Sequence, residues 1–271
     1  MRSLTKRLPH LIVLAVALVA ATQLAGSGQS GKLQAVELAG SPAPNVVIRR
    51  TTIGVPPHEA EGDFATCGSG ERATGGGAGG GSADAIVLES GPSDTSNNFT
   101  TTETGDVPRK WFASVGNFDA TPPGGTAYVF ALCARESNVI VRRKAVPVPS
   151  GQTRTGVKPC APDERATGGG AGFDNGGLAD DVSTSQSGPT DSTGTFTASE
   201  TGDVPRKWFA SVHNSSPTER TAYVFAVCAR ASNVVIRRKA FTVFASSHNG
   251  AAKPCASGEL PTGGGVGFPE G

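Results

Sequence analysis

Two segments of this 271-residue chain recur in the order A-B-A-B-A, and that repetition limits the fold more tightly than any other feature. Half B is marked by Thr104-Gly-Asp-Val-Pro-Arg-Lys-Trp-Phe-Ala-Ser-Val115, which returns unchanged as Thr201 to Val212. It continues with Thr126-Ala-Tyr-Val-Phe-Ala-Leu-Cys-Ala-Arg135, which returns with one substitution as Thr221 to Arg230. Half A opens at Asn45, Asn138 and Asn233 with a Val/Ile-rich stretch and two arginines. It reaches Cys67, Cys160 and Cys255, 22 residues on in every copy, and closes on Thr-Gly-Gly-Gly. One A plus one B is roughly 95 residues, a normal size for a β domain. The expected organisation is therefore a unit at 45–137, a second at 138–232, and a partial third repeat at 233–271 with an A half and no B half.

Local composition points to strands. The chain has 37 Gly, 19 Pro and one Met, and beyond its N-terminal run no stretch keeps apolar residues in i, i+3, i+4 register. Along Tyr128 to Cys133 the side chains alternate, Tyr128, Phe130 and Leu132 facing one way and Ala127, Val129, Ala131 and Cys133 the other, which reads as a central strand apolar on both faces. Arg135 to Asn138 is expected to turn that strand as a hairpin into Val139 to Lys144. Thr74-Gly-Gly-Gly-Ala-Gly79 reads as a strand end where missing side chains let a backbone or a bulky ring approach. The predicted fold is all-β: two tandem β-sandwich or Greek-key units after a cleaved signal peptide, with a C-terminal partial repeat.

The N-terminus carries Arg2, Lys6 and Arg7 ahead of the apolar run Leu11 to Ala21, the pattern of a secretory signal peptide. The run is shorter than the ~20 residues of a membrane span, and no second one follows. Residues 1–25 are thus expected to be removed, 26–44 to form a linker, and the protein to be secreted, with no stable membrane span in the mature chain. Near the other end, Leu260-Pro-Thr-Gly263 belongs to the repeat and lacks the spacing of a cell-wall sorting signal. Losing Arg2, Lys6 and Arg7 from 24 basic residues leaves 21 against 23 acidic ones, a balance that argues against nucleic acid as a partner.

Five cysteines in an exported chain imply two disulfides and one free thiol. Two arrangements respect the repeat. One joins Cys67 to Cys133 and Cys160 to Cys228, leaving Cys255; the other joins Cys133 to Cys160 and Cys228 to Cys255, leaving Cys67. Loop-closure entropy separates them by only about 1 kcal/mol. Modularity favours the first, because each A-B unit then holds its own bridge.

Several of these residues together resemble a repeat of secreted proteins of actinobacteria and related bacteria. They are Cys160-Ala-Pro-Asp-Glu-Arg-Ala-Thr-Gly-Gly-Gly170, Ser187-Gly-Pro189, Trp208, Asn214 and Ala222-Tyr-Val-Phe-Ala-Val-Cys-Ala229. The outline of that repeat is Cys-Pro-x-Gly, Gly-Gly-Gly, Ser-x-Pro, Trp, Asn and Tyr-Ala-x-Cys-Ala. This chain departs from it with Cys-Ala-Pro or Cys-Gly-Ser in place of Cys-Pro. The resemblance implies an exported β module with one internal bridge and no established activity.

Residues with catalytic chemistry are few, and the repeats disagree over them. His213 stands where the first unit has Gly116, and His58 and His248 lie between repeated segments, so neither a Ser-His-Asp arrangement nor a His/Cys metal site is expected. Glu103 and Asp106, repeated as Glu200 and Asp203, form a carboxylate pair before Trp111 and Trp208, the ingredients of a glycosidase or a sugar platform. Thr-Gly-Asp-Val-Pro is equally turn chemistry. Asp174-Asn-Gly-Gly-Leu-Ala-Asp-Asp181 offers oxygens for calcium but has little counterpart near Gly80 to Ala85. Asn98-Phe-Thr100 and Asn214-Ser-Ser216 match glycosylation acceptors. Arg142-Arg143-Lys144 and Arg237-Arg238-Lys239 make a basic strand face. We expect a non-enzymatic exported repeat protein, a structural or surface-interaction module, with no catalytic residue, metal or cofactor. The alternatives are a module that binds or, less readily, processes cell-surface or extracellular polysaccharide through Trp111 and Trp208, and a protease inhibitor.

Overall fold

The strand Gly125–Ala134 (β6) shows how the sequence builds the sheets. In this computed structural model Ala127, Val129, Ala131 and Cys133 are all at most 1% exposed while Tyr128, Phe130 and Leu132 are half-buried. Such a strand needs a neighbour on each edge. It has Val47–Val55 (β1) on one side and Arg72–Gly80 (β3) on the other, both antiparallel. Ala60–Thr66 (β2), Ala85–Ser93 (β4) and Lys110–Asn117 (β5) make the facing sheet in the order β2-β5-β4. The structure describes residues 46–80, 85–95, 102–118, 124–136, 138–174, 181–196, 198–231, 233–244 and 250–267. The expected signal peptide at 1–25 and linker at 26–44 lie outside them.

The second copy repeats the pattern. Ile140–Val148 (β7), Arg165–Phe173 (β9) and Arg220–Ala229 (β12) correspond to β1, β3 and β6, and Gln152–Pro159 (β8), Val182–Thr190 (β10) and Lys207–Asn214 (β11) to β2, β4 and β5. The protein is all-β, with twelve antiparallel strands among the described residues.

The sheets do not stop where the sequence repeat stops. Strand β4 of the first copy pairs with β9 of the second through Ser90 and Ala171, giving a continuous sheet β2-β5-β4-β9-β12-β7. Beyond it β10 makes the same contact with the third A half, as Ser187 pairs with Val266 in both directions. The hairpin expected at Arg135 to Asn138 does not form. Strand β7 pairs with β12, 80 residues later in its own copy, and not with β6. The apolar alternation marked both strands correctly, but sequence adjacency was the wrong guide to pairing.

At the centre, the three Thr-Gly-Gly-Gly segments meet. A Cβ on Gly75 would lie 2.7 Å from Gly263 Cα, one on Gly168 would lie 2.7 Å from Gly75 Cα, and one on Gly263 would lie 2.9 Å from Gly168 Cα. Each copy thus abuts the other two in the same rotational sense, a closed three-membered ring that only glycine permits.

Candidate functional site

Trp111 and Trp208 are the anchors of the two filled copies and not ligand platforms. They are 0% and 1% exposed, so the stacking role expected for them is corrected: no sugar reaches either ring. Glycine explains the burial. A Cβ on Gly76 or Gly169 would come within 2.5 Å of the ring of Trp111 or Trp208, so the bare strand above each indole forms its lid. Each indole N–H, which burial would otherwise orphan, donates to the serine of the Ser-Gly-Pro segment, Trp111 to Ser90 Oγ at 2.8 Å and Trp208 to Ser187 Oγ at 2.9 Å.

The carboxylate pairs are turn and junction parts. Asp106 accepts the N–H of Glu103 at 2.7 Å, closing a turn in which Gly105 holds a positive φ of 102°. That turn docks on the next A half, with Gly105 N–H donating to Val141 O and Val141 N–H to Asp106 O. Glu103 forms an ion pair with Arg143. In the second copy Asp203 accepts from Glu200 N–H, Ile236 takes the place of Val141, and Glu200 pairs with Arg238. The basic strand face is therefore where one repeat grips the next, a purpose that reading each segment alone did not disclose.

Other candidates resolve in the same way. Cys67 is bonded to Cys133 and Cys160 to Cys228, with Cα separations of 5.6 and 5.7 Å, while Cys255 is free and half-buried. This is the pairing contained within each A-B unit. Cys160, Cys228 and Glu164 lie close enough to suggest a metal cluster, but both sulfurs are used in the disulfide. Asn214 is fully buried and its amide donates to Val148 O and Thr218 O, both at 2.8 Å, so it is no glycosylation acceptor. Asn98 and residues 175–180 of the acidic loop lie outside the described residues. Of the loop's flanks, Asp174 accepts from Thr221 N–H and Asp181 lies 3.9 Å from Arg220.

Two features escaped the sequence reading. One is an arginine-glutamate clamp inside every A half: Arg49 with Glu71, Arg142 with Glu164 and Arg237 with Glu259. The glutamate also accepts the backbone N–H of Gly68, Ala161 or Ala256, fixing the turn after the cysteine. The Arg142 hydrogen bond holds the Glu164 carboxyl below the usual carboxylate range, burial opposing it. A second constant 22-residue spacing, parallel to the asparagine-to-cysteine one, was the available signal. The other is Glu89, fully buried on β4, where β10 has Gln186. It accepts the Phe173 N–H across the repeat junction, and burial raises its pKa to about 8.

A recess of about 1260 Å³ opens at the third A half, between 233–243 and 258–267, with Pro189, Phe196 and Cys255 on its walls. No protein-family model matches the chain, and no curated protein matches it.

Proposed function

We propose that this is an exported, non-catalytic β-repeat protein that acts by surface interaction. The observation that carries this reading is the third A half, which exposes an open recess where the other two A halves are covered by their B halves. Supporting it, each carboxylate of the candidate pairs is bound within a turn or an ion pair, and both tryptophans are sealed beneath glycine strands. The two disulfides and the basic, apolar start of the sequence fit an oxidising destination outside the cytoplasm.

Two measurements test it. N-terminal sequencing of protein collected from the culture medium is expected to begin between residues 22 and 27, and retention of the uncut chain inside cells would overturn export. A glycan array probed with the purified mature protein is expected to show no specific binding; a selective glycan signal would favour the polysaccharide-binding alternative instead.

A further inference from the structure

We infer that the recess at the third A half is the docking site for a partner polypeptide carrying the chemistry of half B: a Ser-x-Pro strand, a tryptophan strand, and a central aromatic strand ending in cysteine. This deepens the surface-interaction reading, and the two fail separately, because glycan binding bears on that reading while the assay below reads only the recess.

The filled copies define the occupant. In them the outer strands of half A pair with the central strand of half B: β1 and β3 flank β6, and β7 and β9 flank β12. Among the described residues, the corresponding stretches of the third A half, 235–243 and 260–267, have no central strand between them and form no ladder with each other. They are nevertheless set in place. The Arg237-Glu259 clamp closes, Ile236 bonds the turn of the preceding B half, and Val266 bonds Ser187. A prepared pair of edges with no strand between them among the described residues is an acceptor for an added strand.

Glycine contacts outline the vacant volume from both sides. Gly76 and Gly169 are pressed against a tryptophan and the central strand, whereas the equivalent Gly264 faces open space. Gly170 and Gly265 are pressed against the Ser-Gly-Pro strand of the preceding copy, whereas the equivalent Gly77 faces open space. A B half placed in the gap would thus set its tryptophan on Gly264 and its Ser-x-Pro strand along β3. Charge agrees. Arg143 and Arg238 each bind the glutamate of the preceding B half, while Arg50, their counterpart, forms no ion pair among the described residues and rests over the Tyr128 ring at 4.7 Å. Cys255 occupies the position from which Cys67 and Cys160 reach the cysteine of the central strand.

A second copy of this chain is a poor occupant. Each of its B halves is already held in its own unit by a disulfide and a central-strand ladder. The third slot also has its own chemistry. Ala73 and Ala166 donate their N–H to Pro108 O and Pro205 O, but Pro261 stands there with no N–H to give, and Leu260 replaces Arg72 and Arg165. The partner therefore needs no carbonyl at that point and meets an apolar side chain instead.

The test uses the full chain and a synthetic peptide with the sequence Arg220 to Ala231, its cysteine carried as a mixed disulfide with thionitrobenzoate. The Cys255 thiol loses its proton, the thiolate attacks the peptide sulfur, the new S–S bond forms, and thionitrobenzoate leaves as a coloured anion, so no external oxidant is required. We expect release at least about tenfold faster than with a scrambled peptide of the same composition, with Cys255 as the labelled residue by peptide mapping. Gly264→Val, which meets open space in the chain but blocks the central strand, is expected to remove that advantage. Equal rates for the two peptides, or an undiminished advantage in Gly264→Val, would overturn the proposal. Fluorescence anisotropy of the same peptide with serine for cysteine reads docking without chemistry: saturable binding lost in Gly264→Val supports the slot, and its absence overturns it.

Discussion

The second and third A halves share a clamp, a post-cysteine turn and a glycine run, yet one forms the three strands β7, β8 and β9 and the other has no strand among its described residues. In the second, β7 and β9 lie on either side of β12, and Val146 and Val148 are 8% and 0% exposed. In the third, the equivalent Phe241 and Val243 are half-buried and Val266 is 52% exposed. What separates them is the presence of a central strand, so the sheet character of half A is conferred by half B. The clamp and turn, whose partners both lie within half A, form without it.

Removing one bridge should separate the two halves most. Cys160→Ser with Cys228→Ser is expected to cost about 2–4 kcal/mol in urea unfolding, while Cys255→Ser changes stability by no more than about 0.5 kcal/mol. Similar losses for both would break the comparison. Gly169→Ala puts a Cβ against the Trp208 ring and is expected to cost about 1–3 kcal/mol by thermal or chemical denaturation, whereas Gly264→Ala stays within about 0.5 kcal/mol.

The junctions differ too, since Glu89 stands at one and Gln186 at the other. The folded chain holds the Glu89 proton up to about pH 8 and the unfolded chain releases it near the ordinary value of 4.5. Its contribution to stability is complete below pH 4.5, is lost as pH rises to about 8, and does not change above that. Glu89→Gln is expected to flatten this decline in melting curves taken from pH 5 to 9 and to stabilise the protein by about 1 kcal/mol or more at pH 9. A parallel decline in the variant would assign the pH dependence to other groups. The smallest contrast lies on the basic face: Arg143→Ala is expected to cost about 0.5 kcal/mol through the exposed Glu103 pair, and Arg50→Ala less than that by the same unfolding assay.

Strands, faces and the repeat itself were legible in the sequence because they depend on local alternation and exact recurrence. Tyr128 to Cys133 declared a two-faced central strand, and Thr74 to Gly79 announced the approach of a ring and a backbone, both of which occur. Pairing was not legible. Nothing local in Ile140 to Val148 distinguishes β6 as a partner from β12, since both carry nearly the same sequence. The tryptophans misled for a related reason: an indole beside carboxylates describes a sugar site equally well as a buried anchor, and only the glycine strand above it, 35 residues earlier in the chain for Trp111 and 39 for Trp208, decides between them. The recess was foreshadowed by the unmatched A half, but its walls come from segments remote in sequence.

The three abutting Thr-Gly-Gly-Gly segments act as a counter. Because each presses on the other two around a closed ring, the assembly has room for three A halves and no more. Most repeat proteins are open ladders that lengthen by one rung at a time. Here a chain bearing a fourth copy would have to begin a second ring, so gene duplication can multiply such modules but not extend one.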